Sequence, residues 1–340
     1  MAVNNYLRWL SSETGSVYWN DSAQIPELYE AASNGAVGAT TNPILVNGAL
    51  AERPHDWEED LKSLAPDITG EEKAEALTRC VTGRIAGILS AQKGKPGGGY
   101  CCAQVNPNKP GDEESMLAQA CRYASVSDGI VIKVPATAAG LKAYEECVAR
   151  GFNVAATVSF TVAQALAAGA AFERGRKRAE AVGIKPGLGV AVLMSGRLDD
   201  YLRDVAMDTG AKVTEEDIRC SGLAAIKRAY GIFKERGYYC KLMPAAGRGP
   251  YHVTELAGAD MIMSIAPKVA ETLLDLKEPF AARIDVPMPA GSVRRLSAMP
   301  EFVKAYEPGG LDPEEFISYG ATKRTLSLFC LNGWNLLKTL

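Results

Sequence analysis

A lysine lies inside an apolar run, Gly129-Ile-Val-Ile-Lys-Val-Pro135, rather than after it. Such a run reads as a buried strand, and an ammonium there is costly unless it is paired or neutralised. An ion pair with a neighbouring carboxylate, or a snorkelling stem, would explain Lys133 on structural grounds. The chemical alternative is a desolvated amine that attacks a carbonyl and forms a Schiff base. Two arginines follow, Arg197 in Met194-Ser-Gly-Arg197 and Arg248 in Ala245-Ala-Gly-Arg-Gly-Pro250. Each stands where an apolar run gives way to a helical pattern. Backbone amides at a helix start and a guanidinium together suit an anion. The pair therefore predicts a phosphorylated or otherwise anionic ligand. Asp21, Asn42, Gln104, Thr157 and Ser264 stand at or near the ends of other apolar runs. Four of them also have ordinary explanations, Asp21 and Asn42 as helix caps and Gln104 and Thr157 as satisfied polar groups of the core.

These residues share a position in a repeating pattern. Short β-leaning runs are predicted at Ser16 to Asn20, Val37 to Thr40, Tyr100 to Val105 and Ile130 to Val134. Four more are predicted at Asn153 to Val158, Gly189 to Leu193, Tyr239 to Met243 and Met261 to Ser264. Helical periodicity fills the intervals, as in Glu71 to Leu89, Ala163 to Arg174 and Glu215 to Glu235. Eight βα units with continuous apolar strands predict a parallel (β/α)8 TIM barrel in a single domain spanning 1–340. Within it, 287–340 is expected as a C-terminal helical extension packed on the barrel, with an apolar helix from Thr322 to Leu337. A barrel builds its active site at the C-terminal strand ends. The ring Asp21, Asn42, Gln104, Lys133, Thr157, Arg197, Arg248 and Ser264 falls there. Lys93-Gly-Lys-Pro-Gly-Gly-Gly99 imitates a phosphate loop but precedes its strand, which predicts a plain αβ loop at the opposite face.

Composition removes several other classes. Among 340 residues, 47% are hydrophobic and 23% charged, with a formal net charge of −3. No field of one sign is available for a nucleic acid or an anionic membrane. No apolar run approaches the roughly 20 residues that cross a bilayer. Met1 to Ser12 has no signal-peptide pattern, so a cytoplasmic location is expected. Eight cysteines without CxxC spacing predict buried free thiols, the vicinal Cys101-Cys102 included. With only His55 and His252 present, neither a metal centre nor a serine-histidine triad is expected.

Thr40-Thr-Asn-Pro43, the run Ile130 to Thr137 with Gly140-Leu141, and Asn153 to Gln164 resemble three successive signatures of the transaldolase and fructose-6-phosphate aldolase family. Together with the first-strand aspartate and the two arginines, the resemblance covers about Val17 to Leu274. It implies a Schiff-base lysine on the fourth strand, where Lys133 falls in the strand count. It further implies Asp21 as general acid/base, with Asn20 a competitor one residue away. Asn42 would hold a hydroxyl of a three-carbon unit, with Thr41 and Ser264 beside it in the substrate site. Gln104 and Thr157 would position a water, and Arg197 and Arg248 would grip the anion. The implied activity is transfer of dihydroxyacetone from a ketose to an aldose without cofactor or metal, within the pentose phosphate pathway. Aldol cleavage that releases dihydroxyacetone, and a non-catalytic sugar-phosphate-binding barrel, are the alternatives. A homo-oligomer is compatible with the sequence.

The sequence also departs from the family pattern. Transaldolases carry Glu where Gln104 stands, while the fructose-6-phosphate aldolase branch has Gln. Ala155, Val192 and Ala246 replace an asparagine and two small hydroxyl residues, and Met194 replaces an aromatic residue. An intact lysine in an altered pocket is the expectation.

Overall fold

The computed structural model describes residues 5–65 and 67–340, so the first four residues of the Met1 to Ser12 stretch lie outside it. Eight parallel strands make one sheet: β1 Val17–Asp21, β2 Gly38–Thr40, β3 Tyr100–Gln104, β4 Ile130–Pro135, β5 Val154–Thr157, β6 Gly189–Leu193, β7 Lys241–Pro244 and β8 Ile262–Ile265. Their order is β7-β6-β5-β4-β3-β2-β1-β8, so each strand neighbours the next in sequence and β1 pairs with β8. β7 and β8 lie side by side and bring the sheet round to a nearly closed barrel. This is the (β/α)8 barrel that the alternation predicts, with further helices after β8.

The apolar runs become strands because helices cover their outer faces while the lumen takes the alternate residues. Paired residues face the same way, so the register defines the lumen. Trp19 stands opposite Gly38 and Ser264, Asp21 opposite Thr40, and Gln104 opposite Lys133. Trp19 plugs the base. Its ring is fully buried and its Nε1 donates to Gly97 O at 2.8 Å. The 93–99 loop is thus bound to the N-terminal end of the barrel, and Lys93 pairs with Asp128 just ahead of β4 at 2.6 Å. That is the opposite end from Gln104 and Lys133.

Several predicted helices have different limits. The expected Glu215 to Glu235 helix is two, Glu215–Arg219 and Ser221–Arg236. The second begins where Ser221 Oγ and Gly222 N both donate to the buried Asp199 carboxylate. The C-terminal Thr322 to Leu337 stretch is an α-helix, Gly320–Phe329, then a π-helical turn, Cys330–Trp334, then Asn335–Leu337. A helix at Tyr6–Glu13, capped by Asn5, precedes the barrel and was not expected from periodicity. No described helix is long and apolar enough to cross a membrane.

Candidate active site

Lys133 occupies the fourth residue of β4 and is 7% exposed. Its Nζ donates to the backbone carbonyl of Thr41 at 3.0 Å. No described carboxylate forms an ion pair with it, so the first of the two structural explanations does not apply. Thr41 therefore meets the amine through its main chain. Its hydroxyl is directed elsewhere, to Cys102 O at 2.7 Å.

The next residue back serves the aspartate. Thr40 Oγ1 donates to Asp21 Oδ1 at 2.7 Å and lies 2.7 Å from Ser264 Oγ. A hydroxyl carries one proton, so Ser264 must be the donor in the second contact. Ser264, Thr40 and Asp21 form a directed chain from β8 across β2 to β1. Asn20 faces away. It shares its side of β1 with Tyr18 and borders a cavity of about 270 Å³ outside the barrel with Glu27 and Lys268. The alternation of one strand puts Asp21, not Asn20, in the lumen.

Gln104 is 2% exposed and stands opposite Lys133 in the ladder. Its Oε1 is buried with no hydrogen-bond partner among the described residues. Thr157 ends β5 on the lumen side, level with Pro135. The residue after it, Val158, has φ +54°, a left-handed conformation that a β-branched side chain strongly resists. Gln164 holds that turn, accepting from Phe160 N and donating to Ala136 O. Strained backbone of this kind concentrates at functional sites.

Asn42 has the capping job that its type suggests. Its Oδ1 accepts from Ile44 N and Leu45 N at 2.9 and 3.2 Å, starting the Pro43–Glu52 helix. Only its amide nitrogen is left to donate to a ligand.

The two arginines sit on neighbouring elements. Arg197 is in the first turn of the Ser195–Thr209 helix, one turn beyond the strand end where the sequence placed it. Burial pulls its guanidinium below the usual range, Arg248 adds to this, and Asp21 opposes it. Its Nε is buried without a partner among the described residues. Arg248 donates Nε to Asp200 Oδ2 at 2.8 Å and Nη1 to Ala246 O at 2.9 Å. The residues that the sequence reading missed are Thr40, Asp200 and Phe329. Phe329, from the C-terminal helix, lies with its ring centroid 5.3 Å from the Arg197 guanidinium. Nothing local to Phe329 in the sequence announces that contact.

All eight cysteines are free thiols. Burial raises the vicinal pair, Cys102 to about 12, so neither is a nucleophile near neutral pH. Among the described residues no group of three or more His, Cys, Asp or Glu could hold a metal.

The sequence model of the family described as transaldolase/fructose-6-phosphate aldolase matches residues 18–305. The chain belongs to that family. A "Transaldolase" of Thiobacillus denitrificans is 28% identical over 306 residues, covering 79% of this chain and 84% of its own. A "Probable transaldolase" of Prosthecochloris aestuarii is 26% identical, covering 72% and 84%. A "Transaldolase" of Neisseria meningitidis is 30% identical over a shorter stretch, 50% of this chain and 51% of its own. Membership in the family supports an enzyme of the transaldolase or aldolase type on this barrel.

Proposed function

We propose that the chain transfers a dihydroxyacetone unit from an anionic ketose to an aldose through a Schiff base on Lys133. The observation that carries this reading is the state of that lysine. Its amine stands in the barrel lumen, held by one backbone carbonyl and, among the described residues, by no carboxylate. An amine so placed is free to react with a carbonyl rather than being committed to an ion pair.

Nζ of Lys133 attacks C2 of the ketose, and loss of water leaves an iminium. Gln104 Oε1 and the Thr157 hydroxyl are the groups available to hold that water. Asp21, oriented by Thr40, takes the proton of the C4 hydroxyl. The C3–C4 bond breaks, its electron pair flows into the iminium, and the aldose leaves. The three-carbon unit remains on Lys133 as an enamine. Attack of the enamine on a second aldose forms the new carbon–carbon bond, Asp21 returns the proton to the new hydroxyl, and water hydrolyses the resulting iminium to release the product ketose and free Lys133. In this reading Asn42 Nδ2 holds a hydroxyl of the bound three-carbon unit, and Arg197 and Arg248 hold the anionic end of the ketose donor or of the aldose. General base positioning of this sort contributes roughly 10²–10⁴-fold.

Release of free dihydroxyacetone by water is the second reading. Gln104 favours it, because the fructose-6-phosphate aldolase branch has glutamine there. Comparing transfer between two aldehydes with release of dihydroxyacetone separates the two. The eight free thiols suit a reducing setting, and the reading includes a cytoplasmic one.

Borohydride reduction in the presence of fructose 6-phosphate tests the core of the reading. The peptide containing Lys133 should gain the mass of the reduced ketose adduct or of the reduced three-carbon adduct left after cleavage, and Lys133→Ala should gain neither. An unmodified Lys133 with phosphorylated and plain ketoses alike would leave a binding barrel as the better account.

A further inference from the structure

The turn that carries Arg248 is strained. Ala246 has φ +57°, a left-handed conformation that costs a non-glycine residue roughly 1 kcal/mol. It also presses on the neighbouring element, since a Cβ on Gly196 would lie 2.1 Å from Ala246 O. Such a turn keeps its shape only when its surroundings hold it.

His252 supplies the hold. It is 3% exposed, and its Nδ1 accepts from Arg248 N at 3.2 Å. The ring proton is therefore on Nε2, which is buried 3.2 Å from Asp199 Oδ2 without an aligned hydrogen bond. Asp199 is fully buried, and its other oxygen accepts from Ser221 Oγ and Gly222 N, both at 2.8 Å. The Tyr251 hydroxyl lies 3.4 Å from Oδ2. Asp199 is two residues beyond Arg197 on the same helix. This close carboxylate–imidazole approach and the Arg248–Asp200 ion pair together join the helix bearing one guanidinium to the loop bearing the other.

We propose that Asp199 and His252 are a positioning pair that fixes the Arg248 loop against the Arg197 helix, so that both guanidiniums are set for one anion before it binds. Two like charges held close repel each other, and a loop left loose would relax them apart. Paying that cost in the fold rather than on binding raises affinity for the anion. The inference rests on the reading of Arg197 and Arg248 as the anion grip.

The test uses the full chain and two probes, inorganic phosphate by calorimetry and borohydride trapping of plain dihydroxyacetone on Lys133. His252→Phe keeps a ring but removes the acceptor for Arg248 N. His252→Asn retains a side-chain oxygen near the Nδ1 position. The phosphate dissociation constant should rise about tenfold in His252→Phe and return most of the way in His252→Asn. Trapping of dihydroxyacetone, which has no anionic end, should be equal in all three proteins. Unchanged phosphate affinity in His252→Phe, or equal losses in both variants, overturns the positioning role. So does a parallel loss of trapping, which would mark a general structural defect. A wild-type chain that binds no phosphate overturns both the grip and the pair. Phosphate binding without trapping would instead remove the Schiff base and leave the pair intact.

Discussion

Thr40 has a single hydroxyl proton and gives it to Asp21, which leaves its lone pairs to Ser264. Asp21 is thereby aimed from one side by a group that is itself aimed. Replacing Thr40 with valine keeps the shape of the side chain and removes both contacts. With Asp21 as the base, kcat should fall about 10–100-fold while KM changes little. Thr40→Ser, which restores the hydroxyl, should recover most of the rate in the same steady-state assay. A drop confined to KM would place Thr40 in substrate binding instead. Much of the candidate site was legible in residue types. Lys133, Asp21 and Gln104 announced themselves as polar groups at or inside apolar runs, whereas Asp21 and Asn20 are separated only by the barrel register that decides which face of β1 is the lumen. Thr40 stood within a motif already singled out, yet a threonine at a strand end is ordinary. Its importance lies in a hydrogen bond to another strand, which no local pattern encodes.

At the scale of elements, the barrel floor depends on one large and one absent side chain. Trp19 turns its indole into the lumen, and a Cβ on Gly38 would lie 2.5 Å from that ring. Gly38→Ala should therefore overpack the base and cost about 1–3 kcal/mol. Urea unfolding would read this as a lower midpoint with an unchanged slope. The Trp19→Phe/Gly38→Ala double variant should regain part of the loss, because the smaller ring makes room. An additive double variant would mean that Gly38 matters for its backbone and not for the space it leaves. The strands were readable because each is a short apolar run between helical stretches. The helix limits were not, for reasons that lie in contacts between elements. The break at Cys220 follows from Asp199 capping the amide of Gly222. The π-helical turn at Cys330–Trp334 packs Gly333 against the Pro43 backbone, where a Cβ would meet it at 2.6 Å. Neither partner is near in sequence.

Over the whole molecule, the segments after β8 fasten themselves to the barrel at separated points. Arg295 donates to the buried Asp217 carboxylate from Nε and Nη2 at 2.8 and 2.6 Å. Trp334 Nε1 and Asn106 Nδ2 both donate to Glu71, at 2.6 and 2.7 Å, and Lys338 joins them. Glu301 accepts from the hydroxyl of Tyr201, on the Ser195–Thr209 helix, at 2.6 Å. Between these anchors the Gly320–Phe329 helix carries Phe329 to Arg197. The ring adds a cation–π contact and keeps water from the guanidinium, and a charge in drier surroundings binds an opposite charge more strongly. Phe329→Ala should thus weaken binding of fructose 6-phosphate, raising KM about tenfold, and leave plain dihydroxyacetone unaffected. Phe329→Leu restores bulk without a π face. If it recovers the loss, the ring acts by excluding water; if it does not, the cation–π contact dominates. Equal effects on the two substrates would mean that the C-terminal segment stabilises the barrel generally and has no specific bearing on the anion. The comparison thus decides whether a segment far along the chain, packed on the barrel from outside, belongs to the substrate site.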